Sequence, residues 1–218
     1  MSNEQTDSIL EAAPQPIVIV DYGVGNIGAL INMLEHLGIE AVASADANRI
    51  LAAPKLILPG VGAFDAAMRS LRQHDLIGPL NEAVLERQRP ILGVCLGMQL
   101  FARGSEEGHT EGLAWIPADV RRITVEPTSG LKVPHIGWTD VHATRVSDLF
   151  PDPAVRERYY FVHSYHMSCD DPNHVLATIQ YESPLCCAVG SGLIQGVQFH
   201  PEKSHRFGMR LLQSFAEQ

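Results

Sequence analysis

"PILGVCLGMQLF", residues 90–101, places Cys95 between an apolar run and a glycine. The apolar residues before Cys95 predict a buried strand, and the residues after it predict a helix. Gly93 and Gly97, two positions to either side, are small enough for the sharp strand-to-helix corner that exposes a nucleophile, as in G-x-S-x-G with sulfur in place of oxygen. A cysteine in an apolar run is more often a core residue. Cys95 can therefore be interpreted as reactive only if another segment of the chain supplies a partner base.

The same alternation of strand and helix extends to both sides of this segment. "PIVIV" (16–20) and "KLILPG" (55–60) predict buried strands, and the apolar spacing between them predicts a helix with Asn26 as its N-cap and Gly38 at its end. After Gly112 the pattern changes to short alternating strands, "YYFVHSY" among them. The sequence thus predicts an α/β fold in which a mostly parallel central sheet is flanked by helices and continues into a mixed C-terminal sheet extension.

Length and composition limit the kinds of protein this chain can be. It has 218 residues, of which 1–15 are polar and without period, so we expect a flexible leader over 1–15 and one domain over 16–218. A net charge of -9 argues against a nucleic-acid or anionic-membrane partner, and no stretch is apolar for the length of a membrane span. Four cysteines without CxxC spacing predict reduced thiols, no structural zinc site and a cytoplasmic protein.

A candidate base for Cys95 lies in "GVQFHPEKSH", at the end of the last predicted strand. His200 and Glu202 are two residues apart, so they project to the same side of an extended segment, and Pro201 between them ends the strand pairing. Glu202 can hold the imidazole in one tautomer while the other ring nitrogen takes the proton from Cys95. The alternative for both residues is an ordinary surface loop after an edge strand.

A glycine turn in "LILPGVGAF" supplies a third component. Gly60, Val61 and Gly62 follow a buried strand, and their backbone N–H groups, together with that of Leu96, can form an oxyanion hole. A plain strand-to-helix turn would have the same composition. The turn, Cys95 and the His-x-Glu pair all follow predicted strands, and open α/β sheets place their sites at the carboxyl ends of strands.

One further motif, "GVGNIG" (23–28), matches the G-x-G-x-x-G pattern of dinucleotide-binding turns. Asp21 directly before it places a carboxylate where a pyrophosphate needs positive potential, although Asp46 lies near the spacing of a ribose-binding acid. A tight glycine turn explains most of the motif, so we favour that interpretation.

Taken together, these motifs resemble the class I glutamine amidotransferases, whose domain has a flavodoxin-like fold, and the resemblance covers nearly the whole chain after the leader. Within that class the chain is most similar to the glutaminase subunit of imidazole glycerol phosphate synthase. The motifs that carry the resemblance stand in order: "DYGVGNI", "LPGVGAF", "GVCLGMQLF", "VPHIGW", "YFVHSYH" and "GVQFHPEKS".

The resemblance implies a triad of Cys95, His200 and Glu202 that hydrolyses glutamine to glutamate and ammonia through a thioester. It implies no metal or organic cofactor. It further implies a heterodimer with a (β/α)₈-barrel cyclase, which uses the ammonia to make imidazole glycerol phosphate in histidine biosynthesis. By the same resemblance Gln99, Ser164 and Tyr165 help to bind glutamine, and the partner interface contains Asn26, Trp138 and Lys203.

Three alternatives remain open from the sequence. "YFVHSYHMSCD" and "PEKSHRFGM" also resemble a paralogous branch that supplies ammonia for amidination of a bacterial surface sugar, with its own barrel partner. A catalytically silent homologue could dock on a barrel without hydrolysing anything. A free-standing cysteine hydrolase of the same fold could act on another γ-glutamyl or peptide bond.

Overall fold

The structure is a computed structural model that describes residues 15–218. The predicted leader therefore lies outside the described residues except for Gln15. Within the described range the strands are β1 (Ile17–Val20), β2 (Ala41–Ser44), β3 (Leu56–Gly60), β4 (Ile91–Cys95), β5 (Ala118–Arg122), β6 (His135–Ala143), β7 (Glu157–His163), β8 (Tyr165–Cys169), β9 (Val175–Gln180), β10 (Pro184–Ser191) and β11 (Ile194–Val197). The helices are α1 (Ile27–His36), α2 (Ala47–Ala52), α3 (Phe64–Gln73), α4 (Ile77–Asn81), α5 (Leu96–Gln99) and α6 (His205–Ala216).

Nine of these strands form one sheet in the order β2-β1-β3-β4-β11-β10-β9-β6-β7. The first five are parallel, and the pairs from β11 onward are antiparallel. This confirms the predicted α/β fold with a mixed extension. The carboxyl ends of β3, β4 and β11 are adjacent at one edge, which is where such sheets bind ligands.

The core lies on both faces of this sheet. In β1 every residue is buried: Val18 and Val20 pack into one apolar cluster, and Ile17 and Ile19 pack into the other. Successive side chains of a strand point to opposite faces, so a strand covered on both sides is a continuous apolar run. In the described part of the chain, the helices are all too short or too polar to cross a bilayer.

Three details of the predicted elements are wrong. "YYFVHSY" is two strands, because the chain breaks at Ser164 and β8 leaves the main sheet to pair with β5 in a separate two-stranded sheet. The sequence pattern also missed β10, whose small residues are buried on both faces and therefore do not alternate. The helix after Cys95 is a single α-helical turn, α5, since the chain continues from Leu100 in turns.

The glycine motif at residues 23–28 has a packing role. A Cβ on Gly25 would lie 2.8 Å from the Pro59 ring, so this turn sits directly against the end of β3. The Asp46 side chain accepts a hydrogen bond from the backbone N–H of Arg49 at 2.9 Å and caps α2. Asn26 precedes α1 but forms no side-chain cap, contrary to the prediction, whereas the helix does end before Gly38.

Helix α6 holds the turn that carries His200. A Cβ on Gly208 would overlap the carbonyl oxygen of Pro201, so the helix can approach this turn only because residue 208 has no side chain. The Ser204 hydroxyl donates a hydrogen bond of 2.6 Å to the His200 carbonyl and ties the start of the helix to the same segment. The position of the predicted base is thus set by close packing of backbone on backbone.

We expect Gly208→Ala to destabilise the protein by about 1–3 kcal/mol, because backbone must move to admit the methyl group. Gly28→Ala, in α1, is the matched control, since a Cβ there meets no atom within 4 Å. That substitution should be neutral or stabilising by up to about 1 kcal/mol. Urea unfolding of both variants measures the difference, and equal stability would contradict the packing argument.

Candidate active site

Cys95 ends β4 in a strained backbone conformation, with φ 55° and ψ −111°. A non-glycine residue in such a region costs about 1–3 kcal/mol, and this cost is met only where the surroundings enforce it. A Cβ on Gly97 would overlap the Leu58 carbonyl oxygen, and a Cβ on Gly93 would lie 2.7 Å from the Met98 backbone. Both flanking glycines are therefore required by the tight corner that the sequence predicted.

His200 and Glu202 form a buried pair. The His200 Nδ1 atom lies 2.9 Å from Glu202 Oε1, and the two side chains are only 5% and 1% exposed. Because a carboxylate accepts, Nδ1 carries the hydrogen, and Nε2 is left to exchange a proton with another group. The backbone N–H of His200 donates to the Tyr160 carbonyl at 3.0 Å, which fixes the pair against β7.

The electrostatics favour a charged imidazole at this position. Burial lowers the pKa of His200, but the interactions with Cys95 and Glu202 outweigh it and raise the pKa to about 9. The second carboxylate oxygen, Glu202 Oε2, is buried without a hydrogen-bond partner among the described residues. The Glu202 side chain therefore has the His200 ring as its polar partner and stabilises the charged form of that ring.

The glycine turn lies directly beside the nucleophile. Gly60 is the register partner of Cys95 in the parallel pairing of β3 with β4. A Cβ on Gly60 would lie 2.7 Å from the Gly97 nitrogen, so the turn and the corner after Cys95 are in close backbone contact. The Tyr22 hydroxyl donates a hydrogen bond of 2.6 Å to the Pro59 carbonyl and anchors the start of the turn.

A cavity of about 370 Å³ opens over these groups. Most of the predicted site residues line it, while Gly60 and Glu202 lie behind the lining, and Asn26 and Trp138 are outside it. The predicted residues in the lining are Val61, Gly62, Cys95, Leu96, Gln99, Ser164, Tyr165, His200 and Lys203. The structure thus brings together segments that are up to 142 positions apart in the sequence, from Val61 to Lys203.

The sequence did not predict four of the lining residues, Glu107, Pro134, Val162 and His163, and two of these make polar contacts. Glu107 Oε2 accepts a hydrogen bond from the Phe64 backbone N–H at 2.8 Å, so its carboxylate caps α3 at the edge of the cavity. His163 donates from Nδ1 to the Tyr165 carbonyl at 2.8 Å and accepts at Nε2 from His135, 3.0 Å away. Burial lowers the pKa of His163 to about 3, so the ring is neutral. Glu107 belongs to no motif, and the motif "YFVHSYH" contains His163 without showing its role, because only the break at Ser164 brings "VHSY" into the site.

The predicted interface residues lie near the turn at Pro201–Lys203. The Trp138 ring stacks on His205 with centroids 5.6 Å apart, and His205 is two residues after Lys203. Helix α1, which Asn26 precedes, packs against the turn at Pro201–Lys203. Contact with a partner at these residues stays a prediction.

A metal site requires several His, Cys, Asp or Glu side chains close together. Over residues 15–218, no group of three or more His, Cys, Asp or Glu side chains is close enough together to hold a metal ion.

A cysteine on a strained corner, a carboxylate-held imidazole and a glycine turn at the carboxyl edge of an α/β sheet define a cysteine-dependent hydrolase of acyl bonds. The chain belongs to the class-I glutamine amidotransferase family, whose pattern it matches over residues 18–218.

The relatives within this family are similar over almost their full length. The chain is 43% identical to the imidazole glycerol phosphate synthase subunit HisH 2 of Methanococcus maripaludis, covering 93% of this chain and 99% of the relative. It is 45% identical to the subunit of the same name from Pseudomonas aeruginosa, covering 92% and 98%. A crystal structure of a glutamine amidotransferase superposes with a TM-score of 0.71 at 21% identity, covering 92% of this chain and 97% of that one, and shares the fold.

The geometry predicts that substitutions of His200 and of Glu202 lower kcat by different amounts. His200→Ala removes the proton acceptor and should lower kcat by about 10²–10⁴. Glu202→Gln keeps the side-chain shape and removes only the charge that orients and stabilises the imidazole. We therefore expect a smaller decrease in kcat for this variant. Glutamate release under saturating glutamine measures both. A Glu202→Gln variant with wild-type turnover would show that this carboxylate has no part in the reaction.

Proposed function

We propose that the chain is the glutaminase subunit of an imidazole glycerol phosphate synthase and supplies ammonia for histidine biosynthesis. The observation that carries this proposal is Cys95 on its strained corner beside His200, whose Nδ1 is held by Glu202, inside a cavity of about 370 Å³. The family and the similarity to HisH subunits support it. The four free cysteines fit a reducing compartment, and we place the protein in the cytoplasm.

The residues at the cavity can carry out the hydrolysis of glutamine in two steps, formation of a thioester and its cleavage by water. His200 Nε2 takes the proton from the Cys95 thiol, and the sulfur attacks the side-chain amide carbon of glutamine, so that an S–C bond forms and the carbonyl electrons move to oxygen. Backbone N–H groups of the glycine turn and of Leu96 hold this oxyanion. When it collapses, the C–N bond breaks and His200 returns its proton to the leaving ammonia. Water, deprotonated by His200, then cleaves the thioester to give glutamate and the free thiol.

The cavity lining fits the two charged groups of an amino acid. Glu107 provides a carboxylate for the α-ammonium group of glutamine. Ser164 and Tyr165, where the chain leaves the main sheet, provide hydroxyls and backbone N–H groups for the α-carboxylate. Gln99 lies between them and the nucleophile. These assignments leave the side-chain amide of the substrate facing Cys95.

The partner in this proposal is a (β/α)₈-barrel cyclase that docks over the cavity. Val61 lines the cavity, Ile136 is the register partner of the lining residue Val162, and Trp138 stacks on His205. All three are large apolar residues that are exposed here and that a protein partner would bury. Docking at this position would deliver the ammonia to the partner directly from the site of its release.

A second candidate acceptor has one observation in its favour. The relatives from Methanococcus maripaludis and Pseudomonas aeruginosa both carry the number 2 in their names. A second numbered HisH protein in one organism is expected where a paralogous branch exists. One such branch would supply ammonia for amidination of a surface sugar. The glutaminase chemistry would be the same, and reconstitution with each barrel partner, assayed for its product, separates the two.

Cys95→Ala should reduce glutamine hydrolysis to background, because no other group in the cavity can form the thioester. Synthesis by the complex from added ammonium should persist, since the partner's own site is untouched. Cys169→Ala is the control, because Cys169 lies at the end of β8, outside the cavity lining. Retained glutamate release in Cys95→Ala would return this cysteine to the core.

Partner docking should raise kcat with little change in KM. The peptide at Gly60-Val61 is flanked by glycine and can turn a carbonyl or an N–H toward the site, and one missing oxyanion donor costs about 10²–10³ in rate. Lys203, exposed directly after Glu202, links the interface to this site, so Lys203→Ala should lose much of the increase. Arg87→Ala, before β4 at the opposite edge of the sheet, should keep it. Equal turnover with and without the partner at saturating glutamine contradicts this coupling.

A further inference from the structure

A buried glutamine side chain behind the nucleophile, Gln198, has no role in the reaction described so far. Gln198 is fully buried, and its amide Nε2 lies 3.6 Å from Cys95 Sγ. Its backbone N–H donates to the Cys187 carbonyl at 2.8 Å, which fixes the residue at the end of the strand that leads to His200. A buried amide destabilises the fold unless its hydrogen bonds are made, so its partners define what it does.

The orientation of the Gln198 amide follows from its neighbours. Gln99 approaches the Tyr165 carbonyl at 3.3 Å, and a carbonyl only accepts, so the Gln99 group at this position is its NH₂. The same NH₂ lies 2.8 Å from the Gln198 side chain, which must therefore present its oxygen there. The Gln198 NH₂ is then the group that faces the sulfur. One main-chain carbonyl thus determines both amide orientations.

We propose that Gln198 is a second functional contact of the nucleophile, which donates an N–H to the Cys95 sulfur and stabilises it as the thiolate. The inference rests on the proposed role of Cys95. An N–H donor binds a negatively charged sulfur more strongly than a neutral thiol. When His200 has taken the proton, the Gln198 amide holds the charge that remains until the S–C bond forms. Formation of the thioester removes that charge, and the hydrogen bond weakens.

The position of Gln198 relative to His200 supports this role. Both side chains interact with Cys95 from the short segment that follows β11, while Phe199 between them packs among buried apolar residues. Among the described residues, the His200 imidazole and the Tyr22 phenol are titratable groups that interact with the Cys95 side chain. Gln198 is uncharged at every pH, so removing it deletes a hydrogen bond and changes no other charge.

The test is the pH profile of Cys95 alkylation by iodoacetamide in the full chain without partner or glutamine, followed by mass spectrometry of the peptide that contains Cys95. In Gln198→Leu the midpoint of the profile should move upward by about one pH unit, as expected for loss of a hydrogen bond to a charged group. Gln198→Glu should move it further, because a carboxylate repels the thiolate. Gln195→Leu is the matched control, since Gln195 is also buried in β11 but bonds to Gln218. Its profile should match the wild type.

A folded Gln198→Leu protein with the wild-type profile would overturn the proposal, and so would an equal shift in Gln195→Leu. If Gln198→Leu does not fold, as judged by circular dichroism, Gln198→Met gives the same test with a more flexible side chain of similar size. The readout is independent of the substrate. If the profile shifts but the wild-type protein fails to hydrolyse glutamine, the proposed function is contradicted and this inference stands. If the enzyme is active but the profile does not shift, the proposed function stands and this inference is overturned.

Discussion

The strained backbone of Cys95 is the constraint on which the rest of the site depends. A side chain at φ 55° is stable only when the chain before and after it is held in place. Here β4 is fixed between β3 and β11, and the chain that follows returns so closely over β3 that Gly97 touches the Leu58 carbonyl. The central position of β4 in a buried parallel sheet thus supplies the rigidity that a reactive cysteine needs.

The other groups reach Cys95 because of the order of the strands. β3 and β11 are the two neighbours of β4, so the glycine turn after β3 and His200 after β11 lie on either side of the sulfur. Each is then fixed from behind, the turn by the Tyr22 hydroxyl and His200 by Ser204 and the close approach of α6. The reacting groups therefore lie on loops, but their backbones are held by hydrogen bonds to the core.

Polar side chains are buried around the site in connected sets. His135 and His163 form a neutral pair that ends on the Tyr165 carbonyl, and the Gln99 amide reaches the same carbonyl. Hydrogen bonds of this kind are stronger in a low dielectric. Removing one partner destabilises the fold, because the other polar group is then buried without a hydrogen bond. The segment at Ser164 and Tyr165, which leaves the main sheet, is held in place by these bonds and so keeps its position in the cavity.

The sequence by itself determined the alternation of strand and helix, the corner at Cys95 and the His200–Glu202 pair, because each depends on local spacing and on residues of special size. It could not place β8 in a second sheet, since that outcome depends on which strands compete for the same edge. It did not reveal β10 either, because the small residues of this strand are buried on both faces and do not alternate. Glu107 likewise belongs to no local motif, and the motifs that contain His163 and Gln198 do not show what these side chains contact. Their positions at the cavity and behind the sulfur exist only after distant segments pack together, and a buried polar side chain acquires its role from the neighbours that packing provides.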